Sequence, residues 1–146
     1  MTTQLHDTGE KFIMDEAFGS GTGATSVSIG LFNDATDGLS DSSDVSNITT
    51  EPGGSNYGRQ SATLGSDFTV QDNGSNWEAI MADQTFDTSN SSQSIDAYFV
   101  VVNFQSDDTG DSSATDHLLF TGSLDQTYDL GSVDSFTLSG SGISIN

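Results

Sequence analysis

One nearly continuous apolar segment constrains the fold of this chain more than any other feature. Residues 95–104 are mostly β-branched and aromatic, in a chain whose hydrophobic residues make up only 32%. Alternation with polar residues would indicate a strand with one solvated face, whereas a continuous run indicates a strand buried on both faces. The sequence therefore predicts a central strand with packed side chains on either side.

Shorter strand patterns recur along the rest of the chain. The predicted strands, with residues 95–104, are 25–33, 57–64, 68–70, 77–86, 117–124, 133–138 and 143–145. Turn-forming residues separate these strands, a spacing typical of antiparallel sandwiches. The expected fold is all-β, an antiparallel β-sandwich of jelly-roll-like type with a short N-terminal helix.

The helix pattern lies near the N-terminus. The apolar residues that fall largely on one of its faces are Phe12, Ile13, Ala17 and Phe18. Asp7 or Thr8 would cap its first turn, and Gly19 would end it. We therefore predict two parts: residues 1–24, a helix and Gly-rich linker that form an attachment arm, and residues 25–146, the β-sandwich domain. Deletion of residues 1–18 would then leave the sandwich folded.

The charge balance is the second strong constraint. Acidic residues number 22 and basic residues 2, which gives a formal net charge of -20. Repulsion among these charges opposes a compact state at low ionic strength, whereas molar salt shortens the Debye length to about 3 Å and screens it. We therefore expect a halophilic protein. Low hydrophobicity and high net charge are also typical of disorder, but the apolar residues gathered into strands favour a folded domain.

The composition also excludes several functional classes. Lys11 and Arg59 alone cannot build the basic patch that nucleic acids or anionic membrane surfaces require. No apolar run approaches the length of a membrane span, and residues 1–7 lack the features of a signal peptide. The chain has no cysteine, which excludes disulfides and thiol chemistry. We expect no nucleic-acid partner and no membrane partner.

The loop after the first predicted strand is a weak candidate for a metal site. Its carboxylates are Asp34, Asp37, Asp41 and Asp44. Gly38 would match the glycine of a calcium loop, but Ala35 occupies a ligand position and Asp44 replaces the bidentate glutamate. A solvated acidic loop is the favoured interpretation, so we expect no cofactor beyond loosely bound cations. Asp107, Asp108, Asp111 and Asp116 beside His117 are interpreted in the same way.

Catalytic motifs are weak throughout the chain. No nucleophile elbow, phosphate loop or zinc-protease motif occurs, and carboxylate pairs are too numerous to discriminate, so we predict no catalytic residue and no enzyme.

Arg59, the only arginine, is expected to form a structural ion pair, either within the domain or across a subunit contact. Trp77 is interpreted as a core or edge anchor. The structural or interface candidates are Arg59, Tyr57, Trp77, Phe12 and Phe18. Glycosylation sequons occur at Asn47, Asn73 and Asn90.

Several stretches follow one another in a distinctive order. GEKFIMD at residues 9–15 precedes the Gly-rich linker, IGLFND follows at 29–34, and TEPGGSNYGRQ at 50–60 is the most specific stretch. The later strands and a closing LSGSGI turn at 138–143 complete the order. In this order the chain resembles a family of small β-rich virion structural proteins of tailed viruses, tail-fibre-like or capsid-decoration-like. Its acidity is similar to that of the haloarchaeal-virus branch, and Gly58 departs from the family's usual Ala.

The resemblance implies a passive role in assembly or surface display, with no catalytic residues to carry over. It implies a virion location after assembly in the host cytoplasm, other virion proteins as partners, and a homo-oligomer. Capsid decoration or a turret subunit is the first expectation. A tail-fibre or baseplate component that contacts the host surface is the alternative, and a glycan hydrolase is the enzymatic alternative.

Overall fold

Antiparallel strands dominate the computed structural model, which describes residues 2–19, 23–106 and 113–145. The strands are β1 (Thr3–Leu5), β2 (Ser26–Phe32), β3 (Gln60–Thr63), β4 (Phe68–Asp72), β5 (Trp77–Met81), β6 (Gln84–Asp87), β7 (Ser94–Phe104), β8 (Thr115–Asp129), β9 (Ser135–Leu138) and β10 (Gly142–Ile145). The helices are α1 (Asp7–Phe18) and α2 (Asp34–Asp37), with 3-10 turns at Val45–Asn47 and Leu130–Ser132. The prediction of a mostly β, antiparallel chain is confirmed. Within the described part of the chain, no helix is long and apolar enough to cross a membrane.

The strands form three sheets in the described residues. The orders are β1-β8-β7-β2-β3, β10-β5-β4 and β6-β9. β7 lies in the middle of the five-stranded sheet, as its apolar sequence predicted. Its side chains alternate between an inner face, with Tyr98 and Val100, and an outer face, with Phe99 and Val101, and each of these four is at most 2% exposed. The central strand buried on both faces is confirmed.

Each face of this sheet has its own apolar cluster. On the inner face, Ile29 and Val100 share a cluster with Met81 of the three-stranded sheet and with Phe86 and Phe136 of the two-stranded sheet. On the outer face, Phe99 and its neighbours are covered from the loop that follows β2. The loop residues that pack there are Leu39, Val45 and Ile48. The acidic loop is therefore attached to the sheet through its few apolar side chains.

The N-terminal segment is built into the same fold. β1 pairs with β8 at the sheet edge, with Leu5 opposite Phe120. α1 then packs so closely on β8 that a Cβ at Gly9 would overlap the backbone carbonyl of Leu119. Phe12 is buried, with its ring centroid 4.9 Å from that of Phe104. Residues 3–18 therefore pack against the sheet through β1 and the Phe12 side of α1, so we expect their deletion to destabilise the domain.

The helix itself differs from its prediction in two details. The helix begins after His6, which makes no side-chain capping bond, so neither Asp7 nor Thr8 is the N-cap. Phe18 is 82% exposed. Six residues at about 100° each separate Phe18 from Phe12 by about 120° around α1, which places Phe18 outside the packed face. Residues 20–22 of the predicted linker lie outside the described residues.

The predicted strand over residues 77–86 is two strands in the structure. β5 belongs to the three-stranded sheet and β6 to the two-stranded sheet. The backbone N–H of Ala82 still donates to the carbonyl of Asp67, the next pair in the register of β4 with β5, and the chain changes sheets between Ala82 and Gln84, where β6 begins. The pattern of residues 77–86 does not show this change, because Met81 of β5 and Phe86 of β6 pack in the same inner core.

Candidate functional site

The acidic loop is organised by its own carboxylates. Asp37 accepts hydrogen bonds from the backbone N–H and hydroxyl groups of Thr49 and Thr50, the shortest at 2.6 Å. Burial opposes ionisation of Asp37, but these hydrogen bonds prevail and hold its pKa below the usual value. Asp37 therefore fastens the end of the loop to α2.

Two more aspartates, Asp34 and Asp44, contact the backbone of this loop, whereas Asp41 contacts the N-terminal segment. Asp44 accepts from the backbone N–H and hydroxyl of Ser46 at 2.8 and 2.6 Å, and these bonds lower its pKa. Asp34 accepts from the N–H of Leu39 at 3.0 Å, while Asp41 contributes its backbone carbonyl. Among the described residues, no three acidic or histidine side chains form a group that could hold a metal ion. The candidate metal residues are thus found in capping and fastening roles.

Only part of the second acidic cluster lies within the described residues. Asp107, Asp108 and Asp111 lie outside the described residues. Asp116 accepts from the side-chain amide of Asn103 at 2.7 Å. The ring of His117 lies 4.5 Å from that of Phe104, between centroids, and its Nε2 is 2.9 Å from the hydroxyl of Thr115.

Arg59 and Tyr57 both contact Glu51 but lie on different sides of the sheet: Arg59 lies over Phe99 of the outer cluster, whereas the ring of Tyr57 packs with the inner cluster, 6.0 Å between centroids from that of Phe86. Arg59 donates from Nε and Nη2 to the two carboxylate oxygens of Glu51 at 2.8 and 2.7 Å, and its guanidinium lies 4.8 Å from the centroid of the Phe99 ring. The Tyr57 hydroxyl accepts from the N–H of Leu31 at 2.9 Å and donates to Glu51 at 3.3 Å. The ion pair therefore forms within the domain, one of the two arrangements expected from the sequence.

The protonation states of this cluster are firmly held. The hydrogen bonds to Glu51 raise the pKa of Arg59, and burial raises the pKa of the Tyr57 hydroxyl. Arg59 stays charged and Tyr57 stays neutral through the physiological range. These fixed protonation states favour a structural role, in which the contacts hold residues 51–59 against the sheet, over a role in proton transfer.

His6 is a buried polar residue that sequence reasoning did not select. Its side chain is fully buried, with Nδ1 3.2 Å from the carbonyl of Asp41 and Nε2 3.0 Å from the hydroxyl of Thr121. A carbonyl can only accept, so Nδ1 carries the proton and Nε2 accepts from Thr121. Burial lowers the pKa of His6, against weaker opposing effects of the backbone of Asp41 and Ser40. A neutral imidazole thus links the start of α1 to the acidic loop.

An open apolar cleft lies between α1 and the three-stranded sheet. Its volume is about 260 Å³ and its lining is almost entirely apolar. The lining side chains that matter here are Phe12, Ile13, Phe68, Val70, Ala79 and Ile143. Val70 and Ile143 are both register partners of Ala79, so the three residues share one face of the sheet. Trp77 lies two residues before Ala79 and so extends this face beyond the helix.

The exposed apolar side chains are concentrated in two places. Val70 and Trp77, 68% and 63% exposed, form the open flank of the apolar cleft. Met14 and Phe18, 56% and 82% exposed, lie one turn apart on the outward side of α1 and form a second surface, the outer patch. The structure thus places Phe12 in the cleft lining, Trp77 on the sheet face beside it and Phe18 on the outer patch. Arg59 lies over Phe99 on the outer face of the five-stranded sheet, and Tyr57 contacts the same Glu51 from the side of the inner cluster.

The glycosylation sequons lie at exposed positions. Asn47, Asn73 and Asn90 are all exposed. The side-chain amides of Asn73 and Asn90 donate to Glu78 and to the hydroxyl of Ser55. These asparagines are therefore part of the loops' own hydrogen bonding.

No family model, curated protein or solved structure matches this chain.

Proposed function

We propose that this protein is a non-enzymatic virion structural protein on the surface of a halophilic tailed virus, where it decorates the capsid or forms part of a turret. The observation that carries the proposal is that polar side chains of this protein form hydrogen bonds and an ion pair with other parts of the same chain. Asp37 fastens Thr50 to α2, Asp44 caps its own 3-10 turn, and the pair of Glu51 with Arg59 joins two segments over the sheet. A passive surface subunit needs such a pre-organised exterior, and the order of segments that resembles virion proteins suggests the class.

The charge supports a working environment of concentrated salt. The net charge of -20 is distributed over a chain with only 2 basic residues. Such a surface remains soluble when salt screens long-range repulsion, because each carboxylate still binds water and cations. A particle surface in brine is therefore a suitable setting for this chain.

We further propose that the sheets pack as a jelly-roll-like sandwich. The inner face of the five-stranded sheet shares one apolar cluster with Met81 of the three-stranded sheet and Phe136 of the two-stranded sheet. Face-to-face burial of this kind is the basis of two-layer β folds. Attachment to a particle then uses the folded surface, because release of residues 3–18 as an arm would remove Phe12 from the core.

A tail-fibre or baseplate component is the second candidate. The acidic loop favours it, because Asp44 and its neighbours are exposed yet held in place by internal hydrogen bonds. A pre-organised polar loop binds a receptor with less loss of conformational entropy than a mobile one. The mostly β fold and the acidic surface are as compatible with a tail fibre or baseplate as with the capsid surface.

Copy number in purified particles tests these proposals. Quantitative mass spectrometry would count the chain against the major capsid protein in the same digest. Capsid decoration predicts a count comparable with that of the major capsid protein. A few copies per particle would replace decoration with the tail or baseplate candidate. Absence from particles would overturn the virion proposal.

A further inference from the structure

Two apolar surfaces on this acidic chain lack a partner within the described residues. The described residues contain five exposed large hydrophobic side chains, and four of them belong to either the open flank of the cleft or the outer patch. Clustered exposed apolar side chains mark interaction sites more often than scattered ones do. The concentration is pronounced here, because hydrophobic residues make up only 32% of the chain.

The two surfaces are complementary in character. The cleft is concave, about 260 Å³ in volume, which is smaller than the roughly 300–1,000 Å³ of most small-molecule pockets. The outer patch is convex and presents the aromatic ring of Phe18 on a helix. A recess of this size suits one or two apolar side chains from a protein surface better than it suits a separate ligand.

The two surfaces cannot cover each other within one molecule. Phe12 and Ile13 line the cleft from the packed side of α1. Met14 and Phe18 project from the opposite side of the same helix, because about 100° separates successive residues. Contact between the surfaces therefore requires a second molecule, in a head-to-tail arrangement that repeats from copy to copy.

We propose that the apolar cleft receives a second copy of this chain, with Met14 and Phe18 of one copy packed into the cleft and against Val70 and Trp77 of the next. A repeated head-to-tail contact closes into a ring or continues as a row, both of which suit a surface lattice. The inference goes beyond the proposed function, since it concerns the purified chain and holds wherever the protein acts.

Charge determines how this contact should respond to salt. Glu10 and Asp15 flank the outer patch with Lys11 between them, which leaves this side of α1 net negative, and Asp72 lies on the same sheet face as Val70 and Trp77. Two such surfaces repel at low ionic strength, and molar salt removes the repulsion and strengthens apolar contact. A cationic partner would show the opposite dependence, because salt would weaken its attraction. Association of the chain with itself should therefore increase with salt.

The test is sedimentation equilibrium of the purified full chain, up to millimolar protein, in low salt and in molar KCl. The outer-patch variant carries Met14→Gln and Phe18→Gln, which preserve helix propensity, and the cleft variant carries Val70→Thr and Trp77→Thr, which preserve strand propensity. Val133→Thr is the matched control, since Val133 is exposed but belongs to neither surface. None of these changes alters the charge, and circular dichroism verifies that each variant is folded.

We expect wild type and Val133→Thr to associate in molar KCl, and each double variant alone to associate at least about tenfold more weakly. An equimolar mixture of the two double variants should form pairs again, because one retains the cleft and the other retains the outer patch. A monomeric wild type at every salt concentration would overturn the proposal. So would unchanged association of both double variants, or a mixture that stays monomeric. Copy number in particles is a separate measurement, so the two proposals can fail independently.

Discussion

At the scale of single residues, Arg59 shows how one cation organises a surface made of acids. Its two bonds to Glu51 and its contact with the Phe99 ring act together, but the side chains of Arg59 and Glu51 remain 30% and 25% exposed. Partial exposure screens the pair, so we expect Arg59→Ala to lower the free energy of unfolding by only about 1 kcal/mol. Thermal melting at fixed molar salt should show a decrease of about 2–4 °C.

Arg59→Lys is the control for this prediction. Lysine keeps the charge but loses the planar fork that binds both oxygens of Glu51 and stacks on Phe99. We expect an intermediate melting temperature. If Arg59→Ala melted like wild type, the contacts seen in the structure would contribute nothing measurable to stability.

His6 gives stability a pH dependence near neutrality. Burial lowers its pKa in the folded state, whereas the unfolded chain takes up a proton as pH falls through about 6.5. The unfolded state then binds more protons, so the free energy of unfolding decreases below about pH 6.5 and levels off below the folded pKa. Thermal melts at about pH 7.5 and about pH 5.5 measure this loss, since ordinary carboxylates stay ionised across that window.

His6→Gln is the matched variant, because its amide can donate to the Asp41 carbonyl while its oxygen accepts from Thr121. This variant cannot take up the proton, and His117 is common to both proteins. The decrease in melting temperature between the two pH values should therefore be smaller in His6→Gln. An equal decrease in both proteins would remove His6 as its source.

At the scale of elements, the packing of α1 on β8 depends on Gly9. Alanine normally favours helices over glycine by about 1 kcal/mol, but here its Cβ would overlap the Leu119 carbonyl. We expect Gly9→Ala to lower the free energy of unfolding by about 1–3 kcal/mol, the usual effect of overpacking. Gly58→Ala is the control, because a Cβ there meets nothing within 4 Å. Chemical denaturation of both variants measures the difference, and equal stability would show that α1 can shift without loss.

Local pattern explains which elements could be predicted from the sequence. β7 was predictable because burial on both faces leaves a continuous apolar run. β1 was not, since Thr3–Leu5 is too short to show a period and is a strand only through its pairing with β8. The exposure of Phe18 was missed because grouping four apolar residues on one face ignored the rotation between Phe12 and Phe18.

The candidate interaction surfaces were predictable only in part. Phe12, Phe18 and Trp77 were selected from the sequence as interface candidates, but nothing local indicated that Phe12 and Trp77 border one cleft. Its walls come from α1, β4, β5 and β10, and the register of β5 with its two neighbours brings them together. Contacts between residues this far apart in the chain have no signature in a single sequence.

At the scale of the whole molecule, high net charge and low hydrophobic content both oppose folding, and burial of the apolar core has to offset them. The inner and outer apolar clusters of the five-stranded sheet form the core, and folding brings the carboxylates that give the net charge of -20 close together around it. With 2 basic residues against 22 acidic ones, ion pairs such as that of Arg59 with Glu51 can neutralise only a small share of the carboxylates. Solvent ions must therefore supply most of the compensation.

The final prediction follows from this imbalance: the folded state should depend on salt. At low ionic strength the Debye length of about 30 Å spans the molecule, so its carboxylates repel, whereas at molar salt it falls to about 3 Å and only adjacent charges interact. Circular dichroism should show strand content and a high melting temperature in molar KCl, and a loss of both on dialysis to low salt. Sucrose is the control, because it favours burial without screening charge and should restore much less structure. Identical spectra and melting temperatures in low and molar salt would contradict the halophilic interpretation, since the carboxylates would then be tolerated without screening.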